Sequence, residues 1–543
     1  MKFNHFLLAA TSGLLLQGCL LDDTEVPKQT PTPEVPEVIP VPTVDSLKES
    51  AKTYPIGAAL PAGDAENSVM KREDLQAVVA KHFSQITAEN IMKPMYLQPK
   101  KGEFQFDDAN ALIDYAEENE MTVHGHTLVW HESSPQWMKD ECAKDKAACE
   151  ATMQAHINKL IENFAPHDVV TSWDVVNEVF NEDGTYRDEG DYGSFWYHSI
   201  GKDYVKMAFA TAKAALVAEK KDEETLLYYN DFNTEQNGKK LDAVLAMIDE
   251  VNTAESLIEG IGFQMHVELN FPTIENITAA LKKAADTGLM VKITELDVAL
   301  NKDGKQSKFT LDLANAQKER YKAIVAAYLA AVPEAQRGGI SVWGVSDADS
   351  WLPAHHGNPD WPLMFNEKLE AKPALAGVSE AILVDKGEEP TPEPEVAFED
   401  KFESDKGWSH TYQTIVGDYE KVENGVMKVT VPWAAVDAVY GTGVTIDVDF
   451  TKARTVQFDV LVPEAFGEGG ISIQSMVQQT AGEYKGEYSA EGLEYTLGEK
   501  TTITFELPAS DIPDMTRFGI NFKAKAAGLP TDVAIEIDNV IIK

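Results

Sequence analysis

Eight short apolar runs recur along the first two thirds of the chain, and the stretch between most neighbours is long enough to hold a helix. They are YPIGAAL (54–60), SQITAEN (84–90), MTVHGHTLVW (121–130), SWDVVNE (172–178), LLYYNDF (226–232), GIGFQMHV (260–267), MVKITELDV (290–298) and GISVWGV (339–345). Segments between them, such as ANALIDYAEEN and QKERYKAIVAAYLAAV, carry apolar residues at three- and four-residue spacing, the mark of an amphipathic helix. Strands alternating with helices eight times predict an α/β fold closed into a (β/α)8 TIM barrel. A six- or seven-stranded open α/β sheet is the competing arrangement.

The ends of those runs are chemically odd. In VKITELDVAL, residues 291–300, two acids break an apolar strand where it should be driest. Other runs end alike: Glu89 and Asn90, His126 and Trp130, Asn177 and Glu178, Asn230 and Asp231, Gln264 and His266, Glu295 and Asp297, Trp343 and Asp347. One such residue reads as a satisfied structural group or a helix cap. Seven strand ends at once read as side chains converging on the mouth of a parallel barrel, where sites are built.

Outside the barrel the composition shifts. The N-terminus has one early lysine, an apolar run from Phe6 to Leu16 and then Gln17, Gly18 and Cys19, a pattern that resembles a bacterial lipobox. It predicts a lipoprotein signal peptide over 1–18, lipidation at Cys19 and an exported, outer-membrane or cell-surface lipoprotein; simple secretion is the alternative. A Pro/Thr/Glu-rich tether follows over 19–45, and a shorter one recurs over 386–396. These cut the chain into a barrel domain over 46–385 and a C-terminal domain over 397–543. In an oxidising compartment Cys142 and Cys149 predict a local disulfide, since no histidine or further cysteine completes a metal set. With 89 acidic against 47 basic residues the formal charge is -42, which excludes nucleic acid as a partner but does not repel a neutral polymer.

The segments ENIMKPMYLQPKKGEFQF, HGHTLVWH, WDVVNE, YNDF, GFQMH, ITELD and WGVSDADSW, in that order, resemble those of glycoside hydrolase family 10, the retaining endo-β-1,4-xylanases, over about residues 46–384. The resemblance implies that Glu178 is the acid/base and Glu295 the nucleophile, with Asn177, His266 and Asp297 in support. Such chemistry needs two carboxyls about 5–5.5 Å apart, one protonated and one ionised. Glu295 should need donors, with His266 the expected one and Asp297 behind it, while repulsion from Glu295 should keep Glu178 protonated. Glu89, Asn90, Lys93, His126, Gln264, Trp130, Trp343 and Trp351 match substrate-contacting positions, and xylan or xylo-oligosaccharides are the implied ligands. No cofactor for catalysis is implied. Departures are His124 where the family often has Arg, Ser133 where it has Gln, and Phe232 where it has Tyr; they put glycone contacts in question.

The C-terminal region alternates apolar and polar residues with period two (VMKVTV, TVQFDVLV, ISIQSMVQ, TTITFELP), predicting an all-β jelly-roll or sandwich. Its start and end loosely resemble jelly-roll carbohydrate-binding modules. Trp408, Tyr412, Trp433, Tyr440, Tyr484 and Tyr488 are candidate sugar platforms, and Glu403 with Asp538 a candidate structural calcium pair. The expected molecule is a monomer, bound to a membrane only through its lipid. A β-1,4-glucan hydrolase of the same fold and a non-catalytic glycan-capture lipoprotein are the alternatives.

Overall fold

The computed structural model describes residues 39, 41–188, 193–387, 398–404, 406–410, 420–433, 435–446, 448, 450, 455–479, 485–489, 492–506 and 515–543. The signal peptide, Cys19, most of both tethers, Tyr412 and Tyr484 lie outside the described residues. No described helix is long and apolar enough to cross a membrane. The chain divides into two compact units between Glu388 and Glu389.

In the first unit eight parallel strands close on themselves. They are β1 (Ile56–Leu60), β2 (Gln85–Ala88), β3 (Thr122–Val129), β4 (Val170–Asn177), β5 (Leu226–Asp231), β6 (Gly260–Phe263), β7 (Met290–Ala299) and β8 (Arg337–Val342). Each pairs with the next, and β1 pairs with β8 at Ile56–Ile340, which closes the ring. The open-sheet alternative is thereby excluded. The run GIGFQMHV is not one strand: it breaks after Phe263, Met265 takes a left-handed φ of 63°, and His266–Glu268 resumes alongside β7.

Side-chain alternation sets what faces each way. On β4, Trp173 packs outward against Phe164 of the helix Lys146–Phe164, ring centroids 5.6 Å apart. Its inward neighbours Ser172 and Asp174 meet His124 and His126 of β3 inside the barrel. Gly125, between those histidines, lets the Trp173 ring lie against its backbone; a Cβ there would sit 2.3 Å from a ring carbon. Lower in the barrel, Lys292 is fully enclosed and donates to Gln85 and to the Gly338 carbonyl, while Gln85 donates to Thr122.

The outer layer closes the unit at its ends. The helix Leu47–Ala51, capped by Ser46, packs against the helix Pro373–Asp385, and Lys386 donates to the Ser50 carbonyl. Cys142 and Cys149 are bonded, joining the helix Gln136–Cys142 to the helix Lys146–Phe164 across a short turn.

The second unit is two antiparallel sheets sharing one apolar core. Met427, Val429, Phe458 and Ile537 come from one sheet and Val444, Ile473, Phe518 and Ile520 from the other. Three of the proposed sugar platforms are structural. Trp408 is buried with its Nε1 donating to Asp400 Oδ2 at 2.8 Å, Tyr440 is buried with its hydroxyl donating to the Pro432 carbonyl, and Trp433 packs edge-on against Tyr440. Tyr488 is 42% exposed. The two acids of the candidate calcium pair, Glu403 and Asp538, stand in different environments. Glu403 is exposed, whereas Asp538 is buried and paired with Lys500 at 2.9 Å. First and last strands are tied by backbone pairing of Phe398–Asp400 with Val540–Ile542.

Candidate active site

The C-terminal ends of β4 and β7 deliver Glu178 and Glu295 into the barrel mouth, 8% and 5% exposed. Glu178 is the first residue beyond β4. It holds a left-handed φ of 58° while its N–H still donates to the Asn230 carbonyl, so the backbone turns its carboxyl inward without leaving the sheet.

Three donors reach the Glu178 carboxyl: Trp130 Nε1 at 3.2 Å, Asn177 Nδ2 at 3.2 Å and Gln264 Nε2 at 3.0 Å. Burial is still the stronger influence and, with the charge of Asp231, pushes its pKa up to about 7. Repulsion from Glu295 is the expected cause, and the structure corrects this: it ranks behind burial, Asp231 and Glu132.

Glu295 is tuned the other way. Burial would raise it, but the hydrogen bond from His266 Nε2 at 3.2 Å and the pull of His126 and His266 hold it below the usual carboxyl range. Asn230 Nδ2 adds a bond at 2.8 Å to Glu295 Oε1. The Nδ1 of His266 faces Asp297 Oδ2 at 2.9 Å, and Trp351 Nε1 donates to that oxygen at 2.9 Å. Burial opposes a charge on His266, yet the two flanking carboxylates win and raise its pKa well above normal, so both ring nitrogens donate.

The two carboxyls are joined by amides. Asn230 Nδ2 also donates to Asn177 Oδ1 at 3.0 Å, and Asn177 donates in turn to Glu178; Thr294 Oγ1 fixes Asn230 by donating to its Oδ1 at 2.7 Å. Asn230 is the site residue that sequence reading placed at a strand end without giving it a task. Its signal was present: YNDF ends β5 as WDVVNE ends β4.

Around this pair stand the remaining predicted contacts. Lys93 is buried, bonds Asn90 Oδ1 at 3.1 Å, and lies 5.3 and 5.6 Å from the ring centres of Trp130 and Trp343. Burial lowers its pKa against the pull of Glu295, Glu89 and Glu178, and burial raises that of Glu89. His126 is held by Asp174 at 2.9 Å, and its ring meets Trp343 edge-on at 5.5 Å. Gln264 and Trp130, expected against sugar, both spend a donor on Glu178.

The departures resolve locally. His124 is buried in the barrel, bonded to Ser172 at 2.7 Å and edge-on to Tyr228, and burial lowers its pKa. The Ser133 carbonyl accepts from Met95 N, steadying the segment that carries Lys93. Phe232 has no hydroxyl to offer, and its ring instead faces Lys240 Nζ at 3.5 Å.

A closed parallel barrel whose mouth pairs one neutral and one ionised buried carboxyl has the layout of a double-displacement glycoside hydrolase. Residues 46–381 match Glycosyl hydrolase family 10, and the chain belongs to that family. It is similar to endo-beta-1,4-xylanase Xyn10C of Cellvibrio japonicus, 40% identical over 358 residues, which are 63% of this chain and 58% of that one. Endo-1,4-beta-xylanase A of Cellvibrio japonicus (strain Ueda107) is 41% identical over 357 residues, 61% of this chain and 56% of that one. This chain thus spans little more than half the length of either relative. An alanine-substituted xylanase 10C from Cellvibrio japonicus, solved in complex with xylopentaose, superposes with a TM-score of 0.60 at 40% identity, covering 64% of this chain and 70% of that one.

Proposed function

We propose that the chain is an endo-β-1,4-xylanase that cleaves internal xylosidic bonds of xylan with retention of anomeric configuration. The observation that carries this reading is the opposed tuning of two buried carboxyls, Glu178 keeping its proton up to about pH 7 and Glu295 held below the usual carboxyl range. In the first displacement Glu295 attacks the anomeric carbon while Glu178 gives its proton to the departing oxygen. In the second, Glu178 takes a proton from water as it attacks and releases Glu295. Asn177 faces the 2-hydroxyl of the reacting sugar, and His266 with Asp297 keeps Glu295 charged and oriented. Glu89, Asn90, Lys93, His126, Trp343 and Trp351 hold the glycone sugars, with Gln264 and Trp130 dividing their contacts between sugar and acid/base. No cofactor takes part.

The same reading extends to the whole chain. It is a monomer, exported and held at the outer membrane or cell surface by lipid on Cys19, which the Leu-Gln-Gly-Cys sequence and the tether after it support. Its C-terminal sandwich binds polysaccharide, supported by the exposed Tyr488. Chromatography of products from xylan and from cellulose tests the activity: mixed xylo-oligosaccharides with little release from cellulose are expected. Comparable release from cellulose would transfer the assignment to β-1,4-glucan.

A further inference from the structure

The Glu178 carboxyl has a second group of neighbours that hydrolysis does not use. One ligand atom each from His131, Glu132 and Glu178 lie within 4.8 Å of one another. His131 is 5% exposed, and its Nε2 is buried without a hydrogen-bond partner. An enclosed ring nitrogen left unpaired costs stability unless something fills its lone pair or takes its proton. Burial pushes the His131 pKa down to about 3, so the imidazole is neutral.

Charge and donor type narrow what fits. Cationic Arg187, Lys139 and Lys240 act on His131, in that order, and oppose a further positive charge; Lys240 is neutralised by Asp231 at 2.9 Å and Glu182 at 3.3 Å, and the carboxylate of Glu132 has to offset the other two. Glu132 and Asp231 both place negative charge towards Glu178. One imidazole nitrogen with two carboxylates suits zinc or a similar divalent transition cation, whereas magnesium favours oxygen alone. Zinc bonds of about 2.0–2.2 Å put tetrahedral ligands roughly 3.3 Å apart, inside the 4.8 Å that bounds these three ligand atoms. Glu132 is exposed and can swing inward. Glu178 accepts three hydrogen bonds and carries a proton up to about pH 7, so a cation binds there by displacing that proton and taking the lone-pair site it leaves.

We propose that His131, Glu132 and Glu178 form an inhibitory site for a zinc-type divalent cation at the entrance to the acid/base. A cation bound there occupies the carboxyl that must deliver the proton, so hydrolysis stops while substrate contacts at Glu89, Asn90 and Trp351 remain. The inhibition rests on the acid/base reading of Glu178; the binding does not.

Calorimetric titration of the full chain with zinc sulfate, run beside xylan hydrolysis over the same zinc range, separates the two. Glu132→Gln removes an exposed ligand without burying anything, and each variant's rates are normalised to its own zinc-free rate. We expect Glu132→Gln to weaken zinc binding and raise the half-inhibitory zinc concentration about tenfold or more, and Glu132→His, which restores a ligand, to recover both. Glu117→Gln, in the separate group Asp114, Glu117 and His167, should leave inhibition as in wild type. Zinc affinity and inhibition in Glu132→Gln equal to wild type would overturn the site. Zinc binding that depends on Glu132 in a chain that cleaves no xylan would retain the site and reject the hydrolase reading instead.

Discussion

At the scale of residues, the telling feature is that the two carboxyls share one amide ladder yet titrate in opposite directions. Glu295→Ala removes the attacking group and should abolish turnover of every substrate. Glu178→Ala removes only proton delivery and water activation. On an aryl xyloside with an acidic phenol its first turnover should largely survive, and azide should restore cycling with a β-configured glycosyl azide; an α-azide would rule out direct attack by Glu295. The pH dependence follows from the same pair. Activity should persist below the usual carboxyl range, because Glu295 stays ionised there, and fall as pH rises through about 7, where Glu178 loses its proton. Stability carries the matching sign: a raised carboxyl favours the fold most below its unfolded value of 4.5, and that contribution is lost as pH climbs through about 7. Denaturant titrations should therefore show Glu178→Gln gaining on wild type by about 3 kcal/mol between pH 4 and pH 8. A constant gap would mean that burial does not tune this group.

At the scale of elements, β3 and β4 are held in contact by the absence of a side chain at Gly125. Gly125→Ala puts a methyl into the Trp173 ring and should cost about 1–3 kcal/mol in thermal or chemical unfolding; a neutral substitution would mean that the ring can move aside. How much was legible in the sequence varies along these strands. Apolar runs bounded by helical periodicity locate all eight, even though polar side chains such as His124, His126, Ser172 and Asp174 alternate on the inward face, because the outward face of each strand is apolar and buried under the helices. The break at Gln264 and Met265 was not legible. Residues 260–267 are apolar or aromatic enough to continue as one strand, and only the left-handed Met265 shows that the chain steps sideways there to bring His266 beside Asp297. Glu178 and Glu295 were legible as acids in dry strands. The direction of their tuning and the donor His266 followed from the family resemblance; the cause of the Glu178 shift did not, since it depends on burial and on Asp231 and Glu132, which are remote in sequence or carry no separate signal. In the sandwich, aromatic residues serve core and surface equally well in a period-two pattern, so the sequence did not say which of the candidate platforms, such as Trp408, Trp433 and Tyr440, pack inward.

At the scale of the whole molecule, the two compact units should separate in function. Ending the chain before residue 398 should leave hydrolysis of soluble xylan nearly unchanged and lower it on insoluble plant cell wall; equal loss on both would make the sandwich structural support. Cys19→Ser should release the protein from membranes and abolish labelling by a fatty-acid probe, and a wild type that takes up no label would refute the anchor. The helix Leu47–Ala51 packs on the helix Pro373–Asp385 and brings the two ends of the barrel domain together. Because the barrel begins and ends at the same place, its order of reading along the gene is arbitrary. A circular permutant that joins residue 386 to residue 46 through a short glycine-rich bridge, and opens at the exposed turn around Glu255, keeps every strand pairing of the ring.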